Sequence, residues 1–208
     1  MELLLIRHAL PIRREVVDGP ADPPLSIDGL AQAELLGTYL ATEQLDAIYS
    51  SPLARAVQTA APVAAAHGLS VMIEDGVAEY DRLSNEYIPI EEIKAAGGEA
   101  WKEFATSNWH GAGAFDSPEE FNAIVIAAVE GLIARHRGHR IAVVFHGGVI
   151  NGYLAHVLGI ASAGFFYPNY TSIHRIAAAG SGERSIVTIN ETSHLRGSGL
   201  PMGIVQRG

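Results

Sequence analysis

Two residues near the start of the sequence could do chemistry together: Arg7 and His8, which follow directly on the apolar run Leu3-Leu4-Leu5-Ile6. An arginine grips an oxyanion with a planar, bidentate fork. A histidine titrates near neutrality and can act as a nucleophile or a proton carrier. The same pattern returns late in the chain, where Arg140-Ile141-Ala142-Val143-Val144-Phe145 runs into His146-Gly147-Gly148. Glycines there let backbone approach a ligand closely. Between the two stretches, Arg55 follows Ser51-Pro52, and the carboxylates Glu79 and Asp81 stand two residues apart. Either carboxylate can serve as a proton donor if it is partly buried. Two histidines at strand ends, with no helical His-x-x-x-His pair, suit a phosphate better than a metal.

These residues need elements that bring them to one place. Unbroken apolar runs such as Leu3–Ile6 and Ile141–Phe145 predict buried strands of a parallel sheet. In such sheets ligands bind outside the carboxyl ends of the strands. Further strands are predicted at 46–50 and 69–73. Ser26-Ile27-Asp28-Gly29 opens a helix through about Glu43, with Leu36, Tyr39 and Leu40 on its buried stripe. Ser51 caps a helix from Pro52 to about His67 that Gly68 closes. Arg55 then sits in the first turn of a helix, where free N–H groups and the dipole favour phosphate. Ser117 caps a helix through about His136, and another runs from about Val149 to Leu158. Strands near 172–177 and 185–190, joined at Gly180-Ser181-Gly182, form an antiparallel edge. The fold class expected is α/β: a three-layer α/β/α sandwich with a mostly parallel sheet.

The chain of 208 residues reads as one domain, 1–208, with a small helical lid inserted at 83–116. Within that insertion Trp101, Phe104 and Trp109 belong either to a lid or to ordinary core. Residues 196–208 are expected to be loose. A formal charge of −9 argues against nucleic acid as a partner. An acidic protein that binds phosphate must concentrate its positive charge in one pocket. No apolar run approaches the length of a membrane span. The chain has no cysteine, and Met1-Glu2-Leu3 lacks the basic segment of a signal peptide, so the cytoplasm is the expected location. An exposed edge strand offers a pairing surface for a homodimer, and nothing in the sequence requires one.

Taken together the motifs resemble the histidine phosphatase superfamily, the phosphoglycerate-mutase-like fold. Ile6-Arg7-His8-Ala9 resembles the family's Arg-His-Gly motif, and Leu25 to Ala33 its next segment. Tyr49-Ser50-Ser51-Pro52-Leu53-Ala54-Arg55-Ala56-Val57-Gln58-Thr59-Ala60 matches along its whole length. Phe145-His146-Gly147-Gly148-Val149-Ile150 resembles the segment with the second histidine, and Asn169–Ile176 and Asn190–Leu195 the late segments. The resemblance implies that His8 is the residue phosphorylated, that Arg7, Arg55, His146 and Gly147 hold the phosphoryl group, and that Glu79 is the acid. It implies a small phosphorylated substrate and no cofactor or metal. The chain departs from the pattern at Ala9, where glycine is usual, and at Arg14, where many members carry a phosphate-contacting asparagine; Arg14 either joins the phosphate site or points away. Glu79 is followed by Tyr80-Asp81, whereas the cofactor-dependent mutases carry Glu-Arg-His-Tyr-Gly. Three readings follow: a metal-independent phosphomonoesterase, favoured here; a mutase; and a catalytically silent phosphate-binding member.

Overall fold

The computed structural model describes residues 1–99, 101–102, 117–161 and 164–204. The predicted lid aromatics Phe104 and Trp109 lie outside the described residues. A six-stranded sheet runs in the order β4-β3-β6-β1-β7-β8. Its strands are β1 (Glu2–Arg7), β3 (Ala47–Ser50), β4 (Val71–Ile73), β6 (Arg140–Phe145), β7 (Ile173–Ala178) and β8 (Arg184–Glu191). The first four are mutually parallel, and β7 and β8 close one side antiparallel. The small strands β2 (Arg14–Glu15) and β5 (Glu86–Tyr87) pair separately. The helices are α1 (Ile27–Leu40), α2 (Ala54–His67), α3 (Ile90–Ala96), α4 (Pro118–Arg135) and α5 (Gly147–Leu158).

The unbroken apolarity of β1 has a simple cause. Successive side chains of a strand point to opposite faces, and here both faces are covered. Leu3 and Leu5 pack with Ile141, Val143 and Phe145 against α4 and α5, through Val125, Leu132, Ile150 and Leu154. Leu4 and Ile6 pack with Ala142 and Val144 against α1 and α2, through Leu36, Leu40, Ala60 and Val63. Layers on both faces give the three-layer α/β architecture that the apolar runs predict.

Several boundaries differ from the sequence reading. Helix α2 starts at Ala54 rather than Pro52, and Ser51 does not cap it. The acceptor comes from elsewhere: the Asp22 carboxylate takes the Ala54 N–H at 2.9 and 3.0 Å. Helix α5 begins at Gly147, two residues early. The tail is not loose over its described part. The Met202 carbonyl accepts from Tyr170 N at 3.0 Å, the Ile204 carbonyl accepts from Lys94 Nζ, and Gln32 donates to the Pro201 carbonyl. Among the described residues no helix is long and apolar enough to cross a membrane.

Candidate active site

Parallel pairing brings three strand ends together. Arg7 is level with Phe145, and Ser50 with Val144, so the residues that follow them meet on one edge. His8 N donates to the Phe145 carbonyl at 2.8 Å and Ser51 N to the Val144 carbonyl at 2.9 Å, extending the ladder past the strand ends. His8, His146, Arg7 and Arg55 are consequently all buried side by side.

His8 Nδ1 lies 2.7 Å from the Ala9 carbonyl oxygen. A carbonyl only accepts, so Nδ1 carries the proton and Nε2 keeps its lone pair. Burial, then the Arg55 and Arg7 charges, hold the His8 imidazole well below its usual range. It is neutral at neutral pH, as a nucleophile must be. The methyl of Ala9 is buried in a small cluster with Leu25 and Ala33, and the Ala9 N–H donates to Thr59 Oγ1 at 2.9 Å. The departure from glycine is absorbed in packing. The loop after His8 is held by α1, where Gly29 is required: a Cβ there would lie 2.0 Å from the Leu10 carbonyl oxygen.

The His146 ring centroid is 5.1 Å from that of His8, and its Nε2 meets Ser51 Oγ at 2.7 Å. The Ser51 hydroxyl thus fixes the second histidine, and it accepts from Leu53 N, at 3.3 Å, ahead of the helix proper. Burial first, then Arg55, His8 and Arg7, keep His146 neutral as well. Arg7 stacks on the Tyr170 ring at 4.1 Å and donates through Nη1 to the Pro168 carbonyl at 2.7 Å. Arg55 stacks on Tyr87 at 4.7 Å and is paired through Nη2 with Asp81 at 2.9 Å. Each guanidinium thus has one aromatic face and one fixed donor, which orients the rest of its fork. Three buried nitrogens beside His8 have no partner among the described residues: Arg7 Nε, Arg55 Nε and His146 Nδ1. Unpaired buried donors are costly, and a cluster of them is what an oxyanion would satisfy.

Glu79 follows a one-turn helix at Asp75–Val77 and lies half-buried against the start of α5. Its oxygens accept from Tyr80 N at 3.0 Å and Gly148 N at 2.9 Å. Burial, and next the Asp81 charge, push its carboxyl above the ordinary range, against the pull of those amides and Arg55. A raised carboxyl pKa is what an acid working near neutrality needs. Gly148 is the other glycine that matters, since a Cβ there would lie 2.4 Å from Glu79 Oε1. Gly148→Ala is expected to displace the carboxyl and cut kcat on an alkyl phosphate by about 10-fold. Steady-state kinetics on that variant check it, and an unchanged kcat would detach Glu79 from the reaction.

The structure brings Arg7, His8, Arg55, Glu79 and His146 together, with Gly147 buried at the start of α5. Arg14 is not buried with them. Pairing of Arg14 with Tyr87 in the β2–β5 ladder leaves its side chain exposed, with Nη1 donating to the Asp22 carbonyl at 3.0 Å. The sequence reading missed the roles of Ser51, Asp81, Tyr87 and Tyr170. Asp81 and Ser51 carried a signal, as a second carboxylate and a second serine inside the motifs; Tyr87 carried none.

The sequence profile of the histidine phosphatase superfamily (branch 1) matches residues 3–192. Phosphoserine phosphatase 1 of Hydrogenobacter thermophilus is 41% identical over 97 residues, which is 45% of either chain. That match spans less than half of the relative's length. Phosphoglycerate mutase-like protein 4 of Arabidopsis thaliana is 29% identical over 72% of this chain and 67% of its own. A phosphoserine phosphatase variant from Entamoeba histolytica, solved in complex with phosphoserine, superposes with a TM-score of 0.73 at 23% identity, covering 93% of this chain and 98% of its own. A mycobacterial glucosyl-3-phosphoglycerate phosphatase gives 0.73 at 21% identity, covering 92% and 99%. The two solved structures share the fold.

Proposed function

Because the chain belongs to the histidine phosphatase superfamily, we propose that it is a phosphomonoesterase acting through a phosphohistidine on His8, without a metal, on a small phosphorylated substrate. One observation carries this reading. His8 presents a free Nε2 lone pair beside three buried nitrogens that lack partners among the described residues.

In the first step Nε2 attacks phosphorus, the N–P bond forms and the P–O ester bond breaks. The ring gains positive charge, which the Ala9 carbonyl stabilises through Nδ1–H. Arg7, Arg55 and His146 take the equatorial oxygens and the charge spread over them. The two guanidiniums supply the positive charge that Mg²⁺ supplies elsewhere, and the neutral His146 adds a hydrogen bond. Glu79 gives its proton to the leaving oxygen. In the second step it takes a proton from water, whose oxygen attacks phosphorus as the N–P bond breaks. The described part of the predicted lid, 83–99, is the element that selects substrates: it sets Tyr87 against Arg55 and places Glu91 Oε2 3.0 Å from Tyr170 Oη. The names of the phosphoserine and glucosyl-3-phosphoglycerate phosphatases support a small phosphomonoester as substrate.

The test is turnover of p-nitrophenyl phosphate in EDTA, with phosphoenzyme trapped by rapid acid-free denaturation. Metal-free turnover with an alkali-stable, acid-labile phosphoenzyme is expected. Phosphoenzyme that discharges only when a phosphate-accepting sugar acid is added would make the protein a mutase. Phosphate binding with neither turnover nor phosphoenzyme would make it a silent binding member.

A further inference from the structure

Two non-glycine residues of the described chain adopt left-handed backbone, Thr171 at φ 53° and Asn190 at φ 56°. Asparagine tolerates this region; a β-branched, fully buried threonine does not do so readily. Strain of this kind persists only where surrounding structure over-determines it, and it collects at functional sites. What surrounds Thr171 is a set of hydrogen bonds between the turn at 168–172 and the segment 190–195. Asn169 N donates to Asn190 Oδ1 at 2.7 Å. Asn190 N donates to His174 Nδ1 at 3.1 Å, so the His174 proton is on Nε2 and reaches Ser172 Oγ at 3.1 Å. Thr171 Oγ1 donates to the Tyr170 carbonyl at 2.8 Å, so it accepts from His194 Nε2 at 2.8 Å. His194 Nδ1 is buried with no partner among the described residues, and the His194 ring lies against Tyr39. None of these groups takes part in the phosphoryl transfer described above.

The clasped turn is nevertheless the cradle of the two residues that matter most. The Pro168 carbonyl holds Arg7 Nη1, Tyr170 lies under the Arg7 guanidinium, Ser172 O accepts from Arg7 N, and Thr171 N reaches the His8 carbonyl at 3.4 Å. A turn relaxed out of the left-handed region would shift all four contacts at once. We propose that His194 is a positioning residue: by bonding Thr171 Oγ1 it holds the strained turn that aims Arg7 and His8 at the phosphoryl group. This rests on the phosphatase reading for its kinetic consequence, but not for its effect on phosphate affinity.

The experiment uses four variants of the full chain: His194→Ala, His194→Gln, Thr171→Gly and the double His194→Ala/Thr171→Gly. The glutamine amide nitrogen reaches about as far as histidine Nε2 and can donate the same bond. Each is measured for kcat and KM on p-nitrophenyl phosphate, for inorganic phosphate affinity by calorimetry, and for Tm. His194→Ala is expected to lower kcat by about 10-fold, with a smaller change in KM. His194→Gln restores most of the loss. In the Thr171→Gly background, where the acceptor and the strain are both gone, His194→Ala costs nothing further. A folded His194→Ala protein with lowered Tm and unchanged kcat would reduce His194 to a structural role and overturn the proposal. So would failure of glutamine to rescue, or losses that multiply in the double variant. Should His194→Ala not fold, a fifth variant decides: Thr171→Val keeps the β-branched strain and removes the hydroxyl acceptor, so a loss of about 10-fold in kcat with His194→Gln still active supports the clasp, and full activity in Thr171→Val overturns it. If wild type shows neither turnover nor phosphoenzyme, the phosphatase reading fails. The clasp is then decided by phosphate affinity, expected to weaken about 10-fold in His194→Ala and to recover in His194→Gln; an unchanged affinity overturns it.

Discussion

His8→Ala is expected to abolish turnover and phosphoenzyme together while leaving phosphate binding largely in place. The separation follows from how the site is built. The nucleophilic atom is a single lone pair on Nε2, and nothing else in the cluster can replace it. Arg7 and Arg55 are permanently charged, and His146 is bound to Ser51. The phosphate grip is held by Tyr170, Pro168, Tyr87, Asp81 and Ser51, not by the His8 ring. Loss of the nucleophile should therefore lower kcat/KM by at least about 10⁴-fold, as removal of the attacking residue does in other covalent enzymes. The affinity for inorganic phosphate should change by no more than about 10-fold, and in the direction of tighter binding if the vacated volume admits water to the anion. Rapid-quench trapping with labelled substrate and phosphate calorimetry on the same preparation check both halves. Turnover retained at more than a few per cent would remove His8 from the mechanism.

How much of this could be read in the sequence depended on how local the cause was. Strand ends were legible because β1 and β6 are buried on both faces and read as apolar runs, so the residues that break them, Arg7-His8 and His146, stand out. The parallel register that sets Arg7 level with Phe145 then follows from the α/β pattern. The helix that presents Arg55 was legible too, but its cap was not. Ser51-Pro52 has the local chemistry of a helix start, yet its serine is spent on His146 and the cap arrives from Asp22, thirty-two positions away in sequence. Arg14 could not be placed from the sequence for a related reason. Its neighbours in the motif suggested the phosphate pocket, while the pairing that turns it outward involves Tyr87, far along the chain in an insertion with no clear periodicity. The tail looked loose because it is terminal and glycine-rich. What ties it down is backbone, the Met202 and Ile204 carbonyls, and backbone partners leave no mark on residue type. The clasp at Thr171 was hidden for the same reason, since a left-handed φ at a threonine runs against propensity and is imposed by tertiary bonds.

Glu79→Gln should split substrates by their leaving group and remove one limb of the pH profile. Glutamine keeps the shape of the side chain and can still accept from Tyr80 N or Gly148 N, so the fold around α5 is preserved. It has no proton to give. A p-nitrophenolate leaves without help, and its release should slow by less than about 10-fold. An alkoxide needs the proton in the transition state, and an alkyl phosphate should slow by about 10²- to 10⁴-fold, the range of general acid catalysis. The pH dependence has a definite sign. His8 must be neutral, and its pKa is lowered by burial and by Arg55 and Arg7, so the acid side of kcat/KM should stay high well below the usual histidine range. Glu79 must be protonated, and its pKa is raised by burial and by Asp81, so activity on alkyl phosphates should fall as pH rises through that raised value. In Glu79→Gln the alkaline fall should vanish and the acid limb remain. Asp81→Asn should move the alkaline fall to lower pH, because removing the neighbouring negative charge lets Glu79 ionise earlier. Equal losses on aryl and alkyl phosphates in Glu79→Gln, with the alkaline limb intact, would take the acid role from Glu79 and leave Asp81, the other buried-edge carboxylate beside Arg55, as the group to test next.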